Sequence, residues 1–337
     1  MLWDPGTATG LGPFPGADPL EATRIVFSEL TGLPFLPEFP ARGVGSDAVG
    51  RTAGLLADLH VEVGVGVWRF VPRGGRDEQR ARVALTTDLD ALEEAAEGYD
   101  GPVKIRIVGP WSLVASVELG RGEKALADPG AVRDITASLA EGLTRHLADI
   151  HKRLPRLTRI VVQVDEPLLE AVLAGELSTA SGWGRLRTYE RAEVEDRLRQ
   201  VLAAATPAGD TAGVWIGATR LDGELLRGAG AAFVGLDGAA VDSVDEDQVG
   251  ETIDAGVGLL VACVGRDDGR KDPRPVVAAV RSLWKRLGFT ADLLPGVVAL
   301  TPVEGLEQLD VRDVPAVLRR AVAAARYLEE SAAEEEP

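Results

Sequence analysis

Short apolar runs alternate with longer stretches of helical period along most of the chain. Eight runs stand out: 8–12 (ATGLG), 33–38 (LPFLPE), 103–109 (VKIRIVG), 159–165 (RIVVQVD), 212–217 (AGVWIG), 231–237 (AAFVGLD), 258–265 (GLLVACVG) and 297–302 (VVALTP). Their near-continuous Val, Ile, Leu and Ala character is that of parallel strands buried on both faces, not of antiparallel strands with one wet face. Helical periods fill the gaps. The segment 18–30 opens with Asp18 as an N-cap and places Leu20, Ile25, Val26 and Leu30 on one side. Further helices are predicted over 47–60, 128–154, 190–205, 272–288 and 314–330. The stretch 61–102 is longer than a simple loop. Its VGVGVWRFVP predicts a hairpin at about 62–72, with a helix following around 76–97.

Eight strands, each followed by a helix, is the count of an α/β protein with a (β/α)8 TIM barrel. The barrel is predicted as one domain over residues 1–330, and the acidic tail 331–337 as disordered. A doubly wound open sheet is the alternative, but its nucleotide fingerprint is missing: GLGPFPG has Pro15 where the third glycine should fall.

Charge narrows the partners. The 337 residues carry 36 Lys+Arg against 53 Asp+Glu, a formal charge of −17. A nucleic-acid binder needs a basic face, and an anionic membrane surface asks for the same, so neither partner is expected. Cys263, the lone cysteine, excludes an intrachain disulfide and a cysteine-rich zinc cluster. No apolar run approaches the roughly 18 residues of a membrane span, and MLWDPGTATG has no signal-peptide pattern. The expectation is a cytoplasmic protein.

In a barrel the C-terminal strand ends face the active-site mouth. They carry Glu38, Gly109-Pro110-Trp111, Asp165-Glu166-Pro167, Gly217, Asp237, Arg266 and Glu304. An acid at such a place serves as a helix cap in most proteins, and Glu166 and Asp267 are assigned to that role. Asp165 differs, because VVQVDEP puts it at the end of the most hydrophobic strand beside a second acid. Such a pair calls for a cation, an amine or an arginine. His146 and His151, five apart in TRHLADIHKR, miss the spacing of four that puts two ligands on one helix face and are expected at the surface. His60 is expected to end a helix, and Cys263 to be a buried structural thiol. Trp68, Trp111 and Trp183 are assigned to loops, where a tryptophan either stacks on a flat ligand or folds back on its own domain.

In order along the chain, TGLGPFPG, VGPWSLV, VVQVDEPLL and LTPVEGL resemble the strand-end segments of the C-terminal catalytic barrel of cobalamin-independent methionine synthase. LPEFPARGVGSDAVGR and TASGWG resemble segments of short single-barrel relatives, and the similarity runs from about residue 6 to 328. The resemblance implies a (β/α)8 barrel in which zinc activates a thiol that takes a methyl group from a folate. It implies that Asp165 holds the amino group of a homocysteine-like substrate, and that Glu38 shares it. It also implies ligand contacts for Trp111 and for Trp183.

The metal site departs from the family pattern. Where the resemblance implies His-x-Cys, an acid and a second Cys, this chain has Trp215, Gly217, Asp237 and Glu304, and Pro13 replaces a serine. Two carboxylates without imidazole or thiolate make a poor zinc site, so no zinc is expected; no cofactor is firmly implied, and a folate as methyl donor stays open. Asp237 and Glu304 are instead the candidate catalytic acids, converging beside an indole. Three classes stay open: an active methyltransferase, a diverged barrel working with carboxylates or a hard cation on a small amino-acid-like ligand, and a silent barrel that binds a ligand or a partner protein. The missing ligands favour the second and third.

Overall fold

The computed structural model describes residues 2–217, 221–241, 244–266 and 272–334. Asp267 and the last three residues of the acidic tail lie outside them. The strands are β1 (His60–Val63), β2 (Trp68–Val71), β3 (Val103–Val108), β4 (Ile160–Asp165), β5 (Thr211–Trp215), β6 (Phe233–Asp237), β7 (Gly258–Val264) and β8 (Val298–Pro302). The α-helices are α1 (Pro19–Glu29), α2 (Ala48–Ala53), α3 (Arg76–Ala95), α4 (Pro110–Ser116), α5 (Pro129–Arg153) and α6 (Leu169–Ala174). They continue with α7 (Arg191–Leu202), α8 (Gly223–Gly228), α9 (Glu246–Asp254), α10 (Arg274–Leu287), α11 (Leu294–Val297) and α12 (Val314–Glu334).

Strands β3 to β8 form one six-stranded parallel sheet in chain order, while β1 and β2 pair as an antiparallel hairpin. The first two predicted strands do not join the regular ladder. Segment 8–13 touches β8 at Ala8–Leu300 and segment 33–38 touches β3 at Phe35–Lys104, with one further bridge between them at Pro13–Glu38. Each contact is a short parallel step: Thr9 N donates to Leu300 O at 2.9 Å, Leu36 N to Lys104 O at 2.9 Å and Glu38 N to Gly12 O at 2.9 Å. Prolines 13, 15, 34 and 37 withhold the N–H groups that a longer ladder would need.

Side-chain alternation divides the sheet into two chemistries. Val103, Ile105, Ile107, Val162, Val164, Val214, Leu236 and Val261 point towards the helices and belong to the main core. The opposite face carries a smaller apolar cluster of Trp3, Leu11, Leu33, Val161, Trp215, Phe233, Leu260, Ala262 and Ala299. Lys104, Arg106, Gln163 and Asp165 share the parity of that second face.

The helices follow local rules. Asp128 caps α5 by accepting from Gly130 N and Ala131 N, Pro129 opens the helix, and His151, Lys152 and Arg153 close it against the dipole. The helix predicted over 47–60 ends at Ala53, with Gly54 as its C-cap. Beyond it, Ala57 N bonds Ser138 O and Ser138 Oγ bonds Ala57 O, so this backbone serves α5 rather than its own helix. A Cβ at Gly142 would lie 2.0 Å from Leu55 O, which is why α5 carries glycine at that crossing. His60 therefore starts a strand and does not end a helix. The tail expected to fray from 331 continues α12 through Glu334, with Ser331 and Ala332 buried.

Candidate ligand-binding site

Strand β3 presents Lys104 and Arg106, two residues apart, and β4 presents Gln163 and Asp165 in the adjoining register. The spacing of two puts all four on the inner face, where Lys104, Gln163 and Asp165 are buried and Arg106 reaches the cleft, and each must find a partner. Arg106 donates from Nε to Asp165 Oδ2 at 2.5 Å and from Nη1 to Glu38 Oε2 at 2.8 Å. Gln163 donates from Nε2 to Asp165 Oδ1 at 2.7 Å and accepts at Oε1 from Lys104 Nζ at 2.7 Å. Glu38 Oε1 lies 3.6 Å from Arg51 Nε, and Arg51 in turn pairs with Asp88, which also accepts from Arg42 at 2.6 Å. One connected set of buried charges thus runs from α3 to the middle of the sheet.

Burial shifts its titrations. Lys104 is fully buried, and desolvation brings its pKa down to about 7; Arg106 adds to that, while Asp165 and Glu38 oppose it. Burial pushes Asp165 upward from the usual carboxylate value against the pull of Arg106 and the hydrogen bond from Gln163. Burial opposes the charge on Arg106, and its two carboxylate partners more than compensate.

A cleft of about 310 Å³ opens at the C-terminal strand ends, lined by Leu11, Pro13, Arg106, Asp165, Trp215, Pro302, Glu304 and Leu306 among others. The Trp215 indole N–H donates to Glu304 Oε1 at 3.2 Å. Gly217, at φ 60°, faces the same spot: a Cβ there would lie 3.3 Å from Trp215 Nε1 and 3.5 Å from Glu304 Oε1. Positions 215, 217 and 304 therefore converge.

The structure brings Glu38 and Asp165 together, yet the cation between them is Arg106 of this chain. It does not bring Asp237 and Glu304 together in one cleft. Asp237 accepts from Ala239 N and lines a separate cleft with Cys263 and Asp272. The expected acid pair beside an indole is thus reduced to Glu304. Trp111 is not a loop residue with an open face. It lies in α4, fully buried, its indole N–H donating to Val194 O at 3.0 Å and its ring 4.9 Å from Tyr189. Trp183 is 96% exposed on the loop between α6 and α7. Glu166 does cap a helix, though not the next one: it accepts from Trp111 N, Ser112 N and Ser112 Oγ at the start of α4. Burial lifts its pKa to about 7 against those three hydrogen bonds.

The histidines are not surface residues as a pair. His146 is buried on α5, and His151 pairs with Asp210 at 2.9 Å. Cys263 is half-buried, and desolvation pushes its thiol pKa up to about 12, the state of an inert thiol. Sequence reasoning missed Lys104, Arg106 and Gln163. Their signal was a charge or amide at every second position of an otherwise apolar run.

No family profile and no curated protein matches the sequence. Likeness lies in the fold. The structure superposes on a B12-independent methionine synthase from Shewanella sp. W3-18-1, solved in complex with selenomethionine, with a TM-score of 0.61 and 9% identity, covering 97% of this chain and 99% of that one. An aldolase from Escherichia coli K12 superposes with a TM-score of 0.42 and 9% identity over 100% of both chains. A D-psicose 3-epimerase does so with a TM-score of 0.40 and 12% identity, over 72% of this chain and 83% of that one.

The zinc implied by the methionine synthase resemblance does not fit the residues present. Trp215 cannot ligate, Gly217 has no side chain, Asp237 turns to another cleft, and Glu304 is left alone. Among the described residues, no group of three His, Cys, Asp or Glu is placed to hold a metal.

Proposed function

We propose that this chain is a diverged barrel of the methionine-synthase kind that binds a small amino-acid-like ligand in the cleft at its strand ends, without zinc-dependent methyl transfer. In this reading segments 8–13 and 33–38 act as the first two strands and close a (β/α)8 barrel. The bridges Ala8–Leu300, Pro13–Glu38 and Phe35–Lys104 support that closure. The observation that carries the functional reading is the cleft itself. It sits where barrel enzymes bind substrate, and it joins an apolar wall of Leu11, Trp215, Pro302 and Leu306 to a few convergent charges. Its volume suits an amino acid the size of methionine. The whole-length likeness in fold to a methionine synthase supports the ligand class.

Thermal shift and calorimetry with L-methionine and L-homocysteine test this. Both are expected to raise the melting temperature in a concentration-dependent way, because a ligand that binds only the folded state stabilises it. Methyl transfer from methyltetrahydrofolate to homocysteine is expected at background level. No shift with any amino acid would remove the ligand reading, and turnover would remove the claim of lost chemistry.

A further inference from the structure

In the resemblance, the two acids at the mouth hold the ligand's amine. Here part of that capacity is taken up by donors of the chain itself. Both oxygens of Asp165 accept hydrogen bonds, from Gln163 and Arg106, and Glu38 lies between Arg106 and Arg51. The guanidinium of Arg106 lines the cleft beside Asp165, while Glu38 lies behind it. Its Nε and Nη1 are engaged by the two acids, and Nη2 makes no hydrogen bond among the described residues. Among the described residues the connected set contains four basic side chains, the part-buried Arg42 and Arg106 and the buried Arg51 and Lys104, against three buried acids, Asp88, Glu38 and Asp165. It is one negative charge short whenever Lys104 is protonated. The opposite lip is acidic, with Glu304 and Glu307.

We propose, on the strength of the amino-acid reading above, that the ligand enters carboxylate first: its carboxylate seats on Arg106 Nη2, and its ammonium group lies towards Glu304. A carboxylate supplies the missing negative charge and an acceptor in the plane of the guanidinium. The ligand ammonium then meets a carboxylate whose hydrogen bond among the described residues is from the Trp215 indole N–H. Its side chain lies along Trp215, Leu11 and Leu306. The substrate class is therefore a zwitterion with an apolar or thioether side chain, held in the opposite sense to the resemblance. An amine without a carboxylate does not qualify.

Calorimetry on the intact protein decides the orientation with three probes: L-methionine, its decarboxylated amine, and its deaminated acid. Loss of the carboxylate is expected to weaken binding by about tenfold or more, the scale of a charge-assisted hydrogen bond, and loss of the amine by less. Glu304→Gln is expected to narrow the gap between L-methionine and the deaminated acid. The ligand series reads the Arg106 contact without removing Arg106, whose loss would strand two buried acids. Amine binding as tight as L-methionine, with no binding of the deaminated acid, would overturn the orientation and leave the amino-acid reading standing. A Glu304→Gln variant that keeps the full gap would overturn the placement of the ammonium group. Silence from all three probes would overturn both readings.

Discussion

Arg106 on β3 donates from Nε to Asp165 Oδ2 at the end of β4, 2.5 Å away. The same guanidinium reaches Glu38. An internal arginine thus answers the demand that two buried acids make for a cation, and the cleft is lined by this guanidinium together with Asp165.

Removing that cation has a predictable cost. Arg106→Met leaves Glu38 and Asp165 buried without their shared partner, and breaking a buried ion pair from one side costs about 3–5 kcal/mol. Chemical denaturation is expected to show a loss of this size. Adding Glu38→Gln and Asp165→Asn to Arg106→Met is expected to restore part of it, because the three side chains act as one network. A loss below about 1 kcal/mol for the single variant would mean that the network is open to water.

Lys104 gives a pH signature. Its pKa is about 7 in the folded chain against an ordinary 10.5, so between those values the unfolded chain holds more of this proton. Stability therefore rises with pH across this window, on account of Lys104. Lys104→Met is expected to be the more stable protein near pH 7 and to lose that rise, with the two denaturation midpoints drawing together towards pH 10. A parallel pair of curves would show that Lys104 keeps its ordinary pKa in the folded chain, as a solvated amine would.

The six strands of the ladder were legible in the sequence because burial on both faces leaves a continuous apolar run, and each lies within two residues of its expected bounds. The two N-terminal runs were less so, since Pro13, Pro34 and Pro37 remove donors that only the folded sheet would count. Within β3 the alternation of Val103, Ile105 and Ile107 with Lys104 and Arg106 was visible. A search for chemistry only at strand ends passes over it. Trp111 lay beyond such reading, because its partners Tyr189 and Val194 come from a segment about 80 residues away and only the fold brings them near. Asp237 and Glu304 were paired through strand-end positions alone. Asp237 instead accepts from Ala239 N, a local capping preference of aspartate after a strand, and lines another cleft.

His146 marks the acid side. Burial among the leucines of α5 lowers its pKa to about 4 from 6.5; the nearby Arg51 adds to this and Asp149 opposes it. Between those values the unfolded chain binds the proton and the folded chain does not, so stability falls as pH drops from 6.5 to 4. The loss from this one group reaches up to roughly 3 kcal/mol. His146→Leu is expected to be indistinguishable in slope above pH 7 and progressively more stable than the parent below 6.5, as read by denaturant midpoints. Equal slopes down to pH 4 would place the imidazole in contact with water.

Purified from the cell without added metal, the chain is expected to carry no zinc in stoichiometric amount, because, of positions 215, 217, 237 and 304, Glu304 alone brings a ligating side chain to the strand-end cleft, where zinc takes three or four close ligands. The convergence of positions 215, 217 and 304 makes the converse testable. Trp215→His, Gly217→Cys and Glu304→Cys together would supply one imidazole and two thiolates around a single point, since a Cβ at 217 already falls within 3.5 Å of both neighbours' functional atoms. The φ of 60° at Gly217 strains any side chain there by about 1 kcal/mol, far less than a structural zinc site returns. Emission spectrometry is expected to find about one zinc per chain in the triple variant, and a chelator to lower its melting temperature. Zinc in the unmodified chain would show that another set of residues holds it, and no zinc in a folded triple variant would show that these three positions do not share a coordination sphere.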